Sequence, residues 1–173
     1  MDARVGGAAG QAAPHPRPGT LTLLTMPEII PIASDHAGVE LKERLKHELT
    51  ALGYAPLDMG TNSTESVDYP DFAHPLAAKV ERGEVKRGIL LCGTGLGMAY
   101  AANRHHGVRA GVAWTPEIAV LAREHNDANV LVLPARFVNE TQAVDILKRW
   151  LDTPFAGGRH GRRVAKIEEG EGT

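Results

Sequence analysis

From residue 28 onward, short apolar runs alternate with longer stretches in which apolar positions recur every three or four residues. Residues 28–33 predict a first strand. Leu41, Leu45, Leu49 and Leu52 then share one helical face, and Gly53 stands where helices commonly end. Residues 54–58 predict a second strand, followed by a polar loop through Gly60, Thr61 and Ser63 to Asp68, Tyr69 and Pro70. A second helix from about Asp71 turns Phe72, Leu76 and Val80 inward and stops at Gly83. Gly88 to Leu91 predict a third strand that runs into glycines 93, 95 and 97, and a third helix continues to about Arg104. Residues 108–113 predict a fourth strand. Thr115, Pro116 and Glu117 then supply an N-cap, a proline at the first helical position and an acid in the first turn. The fourth helix carries Ile118, Leu121 and Ala122 inward, with His125 ending the same face. Residues 130–133 predict a fifth strand. A fifth helix over about 139–151 buries Ala143, Ile146, Leu147, Trp150 and Leu151. No element is predicted over 152–173, and no internal repeat is present.

Five strands alternating with helices, the last three apolar without alternation, predict one α/β domain with a five-stranded parallel sheet between two helical layers. Ligands of such sheets bind beyond the carboxyl ends of the strands. The loops over 34–38, 58–71, 92–97, 113–115 and 134–138 therefore face the expected site, and the suspect polar residues are expected on that one rim.

At 173 residues, 43% hydrophobic and 23% charged, the chain suits one folded domain over residues 26–167. Residues 1–25 are rich in Gly, Ala and Pro without period, which predicts a disordered extension. The Leu21-Thr22-Leu23-Leu24 patch lacks the basic start of a signal peptide, so Met26 is expected to be the natural first residue. Residues 168–173 are expected to be a flexible tail. A net charge of −2 gives no broad basic footprint for nucleic acid or an anionic membrane. The single cysteine excludes an internal disulfide and a multi-thiolate zinc site, and fits a reducing, cytoplasmic setting.

Cys92-Gly93-Thr94-Gly95-Leu96-Gly97 is the most informative stretch: a strand end, a glycine loop and a helix start. Glycines permit positive φ and close approach, and a helix start favours anions. A Rossmann fingerprint fails here, because Met98 replaces its third glycine and Ala113-Trp114 replace its ribose-binding acid. A P-loop fails for want of Gly-Lys-Ser/Thr. Leu-Cys-Gly-Thr-Gly is similar to the glycine motif of S-adenosylmethionine methyltransferases, but follows the third strand rather than the first. A lone cysteine is usually inert packing; the adjoining helix start argues for a reactive one. Asp35 could merely cap the first helix, His125 could merely complement a helix dipole, and Asn126-Asp127 could be a simple turn. Arg159, Arg162 and Arg163 could be solvated charge, or with His160 could clamp a phosphate. Together these groups suit proton transfer on a small phosphorylated molecule.

In the same order, Ser34-Asp35-His36-Ala37-Gly38, Asp68-Tyr69-Pro70, Cys92 through Gly97 with Ala101-Ala102-Asn103, Val108-Arg109-Ala110, His125 through Asn129 and Gly157-Gly158-Arg159-His160 resemble the type B ribose-5-phosphate isomerases over residues 28–167. The resemblance implies a Rossmann-like three-layer αβα sandwich. It also implies interconversion of ribose 5-phosphate and ribulose 5-phosphate in the pentose phosphate pathway, without metal or other cofactor, at sites between subunits of a homodimer or homotetramer. Cys92 would move the proton between C2 and C1, since Met98 stands where another branch carries its glutamate base. His125 would open the furanose ring. Backbone N–H groups of Gly93, Thr94, Gly95, Leu96 and Gly97, with the Thr94 hydroxyl, would stabilise the enediolate. Asp35 and Asn126 would contact sugar oxygens, and His36, Arg136, Arg159 and Arg163 would hold the phosphate. The loop Gly60-Thr61-Asn62 lacks the aromatic of some members, and the Arg-His-Gly-Arg-Arg tail is its own variant. Isomerases of allose 6-phosphate, galactose 6-phosphate or tetrulose 4-phosphates are therefore alternatives. From another class, a non-catalytic phosphosugar binder or a methyltransferase-like nucleotide binder is the alternative.

Overall fold

A computed structural model describes residues 25–170. The extension expected over 1–25 lies, apart from Thr25, outside the described residues, as do residues 171–173 of the expected tail. The five strands are β1 (Ile29–Ser34), β2 (Ala55–Asp58), β3 (Gly88–Cys92), β4 (Ala110–Val112) and β5 (Val130–Pro134). The helices are α1 (Val39–Ala51), α2 (Pro70–Glu81), α3 (Leu96–Ala102), α4 (Pro116–Asn126), α5 (Glu140–Asp152) and α6 (Arg159–Glu168). All pairings are parallel in the order β2-β1-β3-β5-β4, a Rossmann-like arrangement whose direction of winding changes between β1 and β3.

Successive strand side chains point to opposite faces, and the two faces carry separate cores. Ile30, Ile32, Ile89, Leu91, Leu131 and Leu133 pack with α1 and α5. Ala33, Leu90, Cys92, Val130 and Val132 pack with α2 and α3. Helix α5 buries the five predicted residues, and a capping box between Asn139 and Gln142 starts it. Two helical faces differ from expectation. In α2 the inward residues are Ala73, Leu76, Ala77 and Val80, while Phe72 is half-buried against Gly60. In α4 only Ala119 is fully buried, Ile118 packs half-buried on the same core, and Leu121 is exposed, so the inward face runs through Ile118, Ala119 and Ala122 and turns Leu121 away. Helix α6 was not predicted: it buries none of its residues, so no apolar stripe announces it. Its last residue, Glu168, pairs with His106 at 3.1 Å, so the expected tail begins as ordered helix.

Candidate active site

The rim at the carboxyl ends of β1 and β3 is built from short backbone contacts. The Asp35 N–H donates to Leu91 O (3.1 Å), and the Asp35 carboxylate accepts from the Ala37 N–H (2.9 Å), capping a 3₁₀ turn over His36–Gly38. Gly38 is tightly required there, since a Cβ would lie 2.8 Å from Leu91 Cβ and 2.9 Å from Ser34 Cβ. His36 Nδ1 accepts from the Val67 N–H at 3.3 Å, which leaves Nε2 as the protonated nitrogen of the neutral ring.

Cys92 ends β3 and is 4% exposed. The Gly95 N–H donates to its Sγ at 3.1 Å, an orienting bond that a thiolate accepts better than a thiol. Gly95 reaches this position with φ 78°, in the left-handed region that glycine favours. The Leu96 N–H donates to Thr94 Oγ1 (3.3 Å). Two of the five loop amides assigned to an oxyanion thus already have partners, Gly95 on the sulfur and Leu96 on Thr94. From the turn after β5, Ala135 and Arg136 donate backbone bonds to Cys92 O (2.8 Å) and Gly93 O (3.1 Å). The Arg136 side chain lies over Gly93, where a Cβ would come within 3.1 Å of its guanidinium. Asp35, His36, Cys92, Gly93, Thr94, Gly95, Leu96, Gly97 and Arg136 are therefore gathered at one end of the sheet.

The loop from β2, expected at the site over 58–71, closes this group through contacts of Tyr69 and Lys42 that the sequence does not signal. The Tyr69 ring lies flat against the backbone of Gly97, close enough that a Cβ there would sit 2.7 Å from it. Beneath the loop, Lys42 of α1 is wholly buried and donates to Asp58 Oδ1 (2.6 Å), Thr61 O (2.7 Å) and Asn62 Oδ1 (2.8 Å). Lys46 donates to Asp58 Oδ2 at 2.6 Å. Burial pushes the Asp58 carboxyl up, but hydrogen bonds from Lys42, Lys46 and the Gly60 amide outweigh it and hold the pKa at about 2. A lysine inside a helical pattern gives no sign of such a role.

His125, Asn126, Arg159 and Arg163 are elsewhere, which corrects the one-rim expectation. Helix α4 leaves the carboxyl end of β4 and must return to the amino end of the parallel β5. Its eleven residues, at about 1.5 Å each, carry His125 and Asn126 on the order of 16 Å to the opposite edge. Asn129 confirms the level, accepting at its O from the N–H of Gly88, the first residue of β3. There His125 stacks on His160 of α6, with centroids 4.2 Å apart and planes 8° apart. Burial, followed by the positive fields of His125, Arg159 and Arg163, pushes the His160 pKa down. One chain alone does not bring Cys92 and His125 together.

A ribose/galactose isomerase family model matches residues 30–167, nearly the whole described fold. The chain belongs to the ribose/galactose isomerase family. Ribose-5-phosphate isomerase B of Escherichia coli is 44% identical over 138 residues, which span 80% of this chain and 93% of that protein. A ribose 5-phosphate isomerase from Thermotoga maritima is similar in structure, with a TM-score of 0.80, 52% identity, and 82% and 98% of the two chains covered. The ribose-5-phosphate isomerase B of Mycoplasma genitalium with bound ribulose-5-phosphate has a TM-score of 0.81 and 42% identity, covering 84% and 97%.

In this member of the ribose/galactose isomerase family, the β4 edge joins the two groups of polar residues. At its carboxyl end an apolar hollow of about 700 Å³ is lined by Leu96, Val112, Trp114, Pro134 and Phe137, among others. Phe137 is 70% and Trp114 53% exposed. At its amino end a cavity of about 410 Å³ is lined by residues including Arg109, Asn126 and Ile167.

Proposed function

We propose that the chain is an aldose–ketose isomerase that interconverts D-ribose 5-phosphate and D-ribulose 5-phosphate. Its site would be completed by a second copy of the chain. The observation that carries the reading is Cys92, held by the Gly95 amide in a glycine loop over which the Arg136 side chain lies. Membership of the isomerase family and the ribulose-5-phosphate bound to the M. genitalium relative support the substrate.

The chemistry proceeds in two stages. A base takes the anomeric hydroxyl proton while the ring oxygen gains one, the C1–O4 bond breaks, and the open aldehyde forms; this is the role assigned to His125. The Cys92 thiolate then takes the C2 proton. That electron pair becomes a C1–C2 double bond, and the carbonyl pair moves onto O1, facing the glycine loop. As the thiol returns its proton to C1, the O2 proton passes to O1 and C2=O closes, giving the ketose. Asp35 and, from the neighbouring copy, Asn126 contact sugar oxygens. His36 and Arg136 on the rim, with Arg159 and Arg163 across the interface, hold the phosphate.

Separation of Cys92 from His125 by the length of α4 supports a homodimer, paired or not into a tetramer. A two-fold axis near the β4 edge would set the cysteine end of one protomer against the histidine end of the other. The exposed Leu96, Trp114 and Phe137 would supply its apolar contact. A catalytic thiol fits a reducing compartment such as the cytoplasm.

Co-expression of Cys92→Ala and His125→Ala chains tests both parts. Each variant alone is expected to keep only a small, measurable residue of activity on ribose 5-phosphate. Random pairing restores about a quarter of wild-type activity, because half the dimers are mixed and each mixed dimer has one intact site of two. No recovery sinks the shared site, and an active Cys92→Ala enzyme sinks the base. Assay against four- and six-carbon sugar phosphates fixes the substrate; faster turnover of either would displace ribose 5-phosphate.

A further inference from the structure

Asp127 follows His125 and Asn126 and is the only non-glycine among the described residues with a positive φ, 48° with ψ 44°. Helices that end in this left-handed conformation usually do so on glycine or asparagine. An aspartate there, if it made only a turn, would be the poorer choice. Its carboxylate gives another reason. Oδ1 accepts from Arg123 Nη1 at 2.9 Å, and Oδ2 accepts from Arg109 Nη2 at 3.2 Å. Its backbone O accepts from Arg109 Nε at 3.0 Å.

Both arginines are anchored beyond it. Arg123 Nη1 also donates to Ala128 O (2.7 Å), and its Nε donates to Thr153 O (3.3 Å) past the end of α5. Arg109 Nη1 donates to Gly107 O (3.2 Å). Its backbone N–H is held by Asn129 Oδ1 (2.8 Å), whose amide donates back to Gly107 O (2.8 Å). One carboxylate thus ties the end of α4 to the chain entering β4 and, through Arg123, to the segment after α5. The two guanidinium side chains are 18% and 13% exposed and the Asp127 side chain 32%, so these bonds are partly shielded from water. On its other side, His125 is braced by the His160 ring.

We infer that Asp127 is a positioning residue: through Arg109 and Arg123 it fixes the end of α4 so that His125 and Asn126 project as a unit into the neighbouring copy's site. This rests on the proposed role of His125 in ring opening. The carboxylate itself meets no substrate; its charge holds the backbone from which the imidazole extends.

The test separates ring opening from enolisation. Ribulose 5-phosphate has no free 5-hydroxyl to close a furanose, so exchange of its C1 proton with deuterated solvent needs Cys92 but not ring opening. Asp127→Asn keeps the left-handed preference while removing the charge. Asp127→Gly relieves the backbone and removes both side-chain ties, so a folded variant remains for measurement. For each, kcat on ribose 5-phosphate is expected to fall by about tenfold or more with KM changed less than about twofold. Deuterium exchange into ribulose 5-phosphate is expected to stay within about threefold of wild type. Combined with His125→Ala, either substitution should add almost no further loss, as expected for residues acting through one another. Wild-type kcat in both variants, an equal fall in conversion and exchange, or a double variant falling by the product of the singles would overturn the assignment. A fully active His125→Ala enzyme would instead remove the reading on which it rests.

Discussion

Replacing Lys42 with methionine tests how the rim is supported. The side chain keeps its length and apolar stem, but three donor bonds disappear: to Asp58, to Thr61 O and to Asn62 Oδ1. Asp58 retains Lys46 and the Gly60 amide, so its charge is only partly abandoned. With about 1 kcal/mol for each neutral oxygen left without this donor and about 2 for the charge-assisted bond, the gross loss is about 4 kcal/mol. Sparing the desolvation of a wholly buried ammonium returns part of this, leaving a net loss of about 3 kcal/mol, near the low end of what breaking a buried pair costs. For a chain of this size each kcal/mol lowers Tm by roughly 2–4 °C, so Tm should fall by about 6–12 °C. Urea unfolding at one fixed protomer concentration measures it, since assembly adds to apparent stability. A fall below about 1 kcal/mol at unchanged m-value would refute the claim that Lys42 carries the loop.

Asp58 should give stability an acid arm. A carboxyl whose folded pKa lies below its unfolded value stabilises the fold above the unfolded pKa, and this contribution is lost as pH falls from 3.8 through about 2. The gap is worth on the order of 2 kcal/mol, and urea titrations should show Asp58→Asn flattening the pH dependence over that window. Gly97→Ala places a Cβ 2.7 Å from the Tyr69 ring; the displaced ring should lower kcat/KM by about tenfold while stability falls only about 1–3 kcal/mol. A variant with wild-type kcat/KM would show that the contact is dispensable. Phe137→Ser with Trp114→Ser should shift sedimentation toward the monomer, and an unchanged oligomer would place the interface elsewhere.

Where the sequence was legible, local rules and burial agreed. Helix α5 has a full apolar stripe and its own capping box, so its boundary and buried face both follow from neighbouring residues. Cys92 and its glycines could be read as a strand–turn–helix for the same reason. Tyr69 and Lys42 could not be read this way, because their partners lie 28 and 16 or more positions away and neither residue type signals the contact. Helix α6 has a half-buried, largely polar inward face through His160, Gly161, Val164 and Glu168, which no apolar stripe announces. The level of His125 was readable and was missed: a helix between parallel strands starts at one edge of the sheet and ends at the other.

Strand β3 is hydrogen-bonded on both sides, Leu91 opposite Ser34 and Leu133, and Cys92 opposite Pro134. Because side chains alternate, Leu91 enters the core under α1 and α5, and Cys92 enters the opposite core. Insertion or deletion of a single residue within β3 would exchange those destinations, burying the thiol among the leucines of α1 while a leucine occupied its seat beside the Gly95 amide. Among the aliphatic residues between Gly88 and Cys92, identity is therefore less constrained than number, and gaps in alignments of this chain with its relatives should avoid this strand.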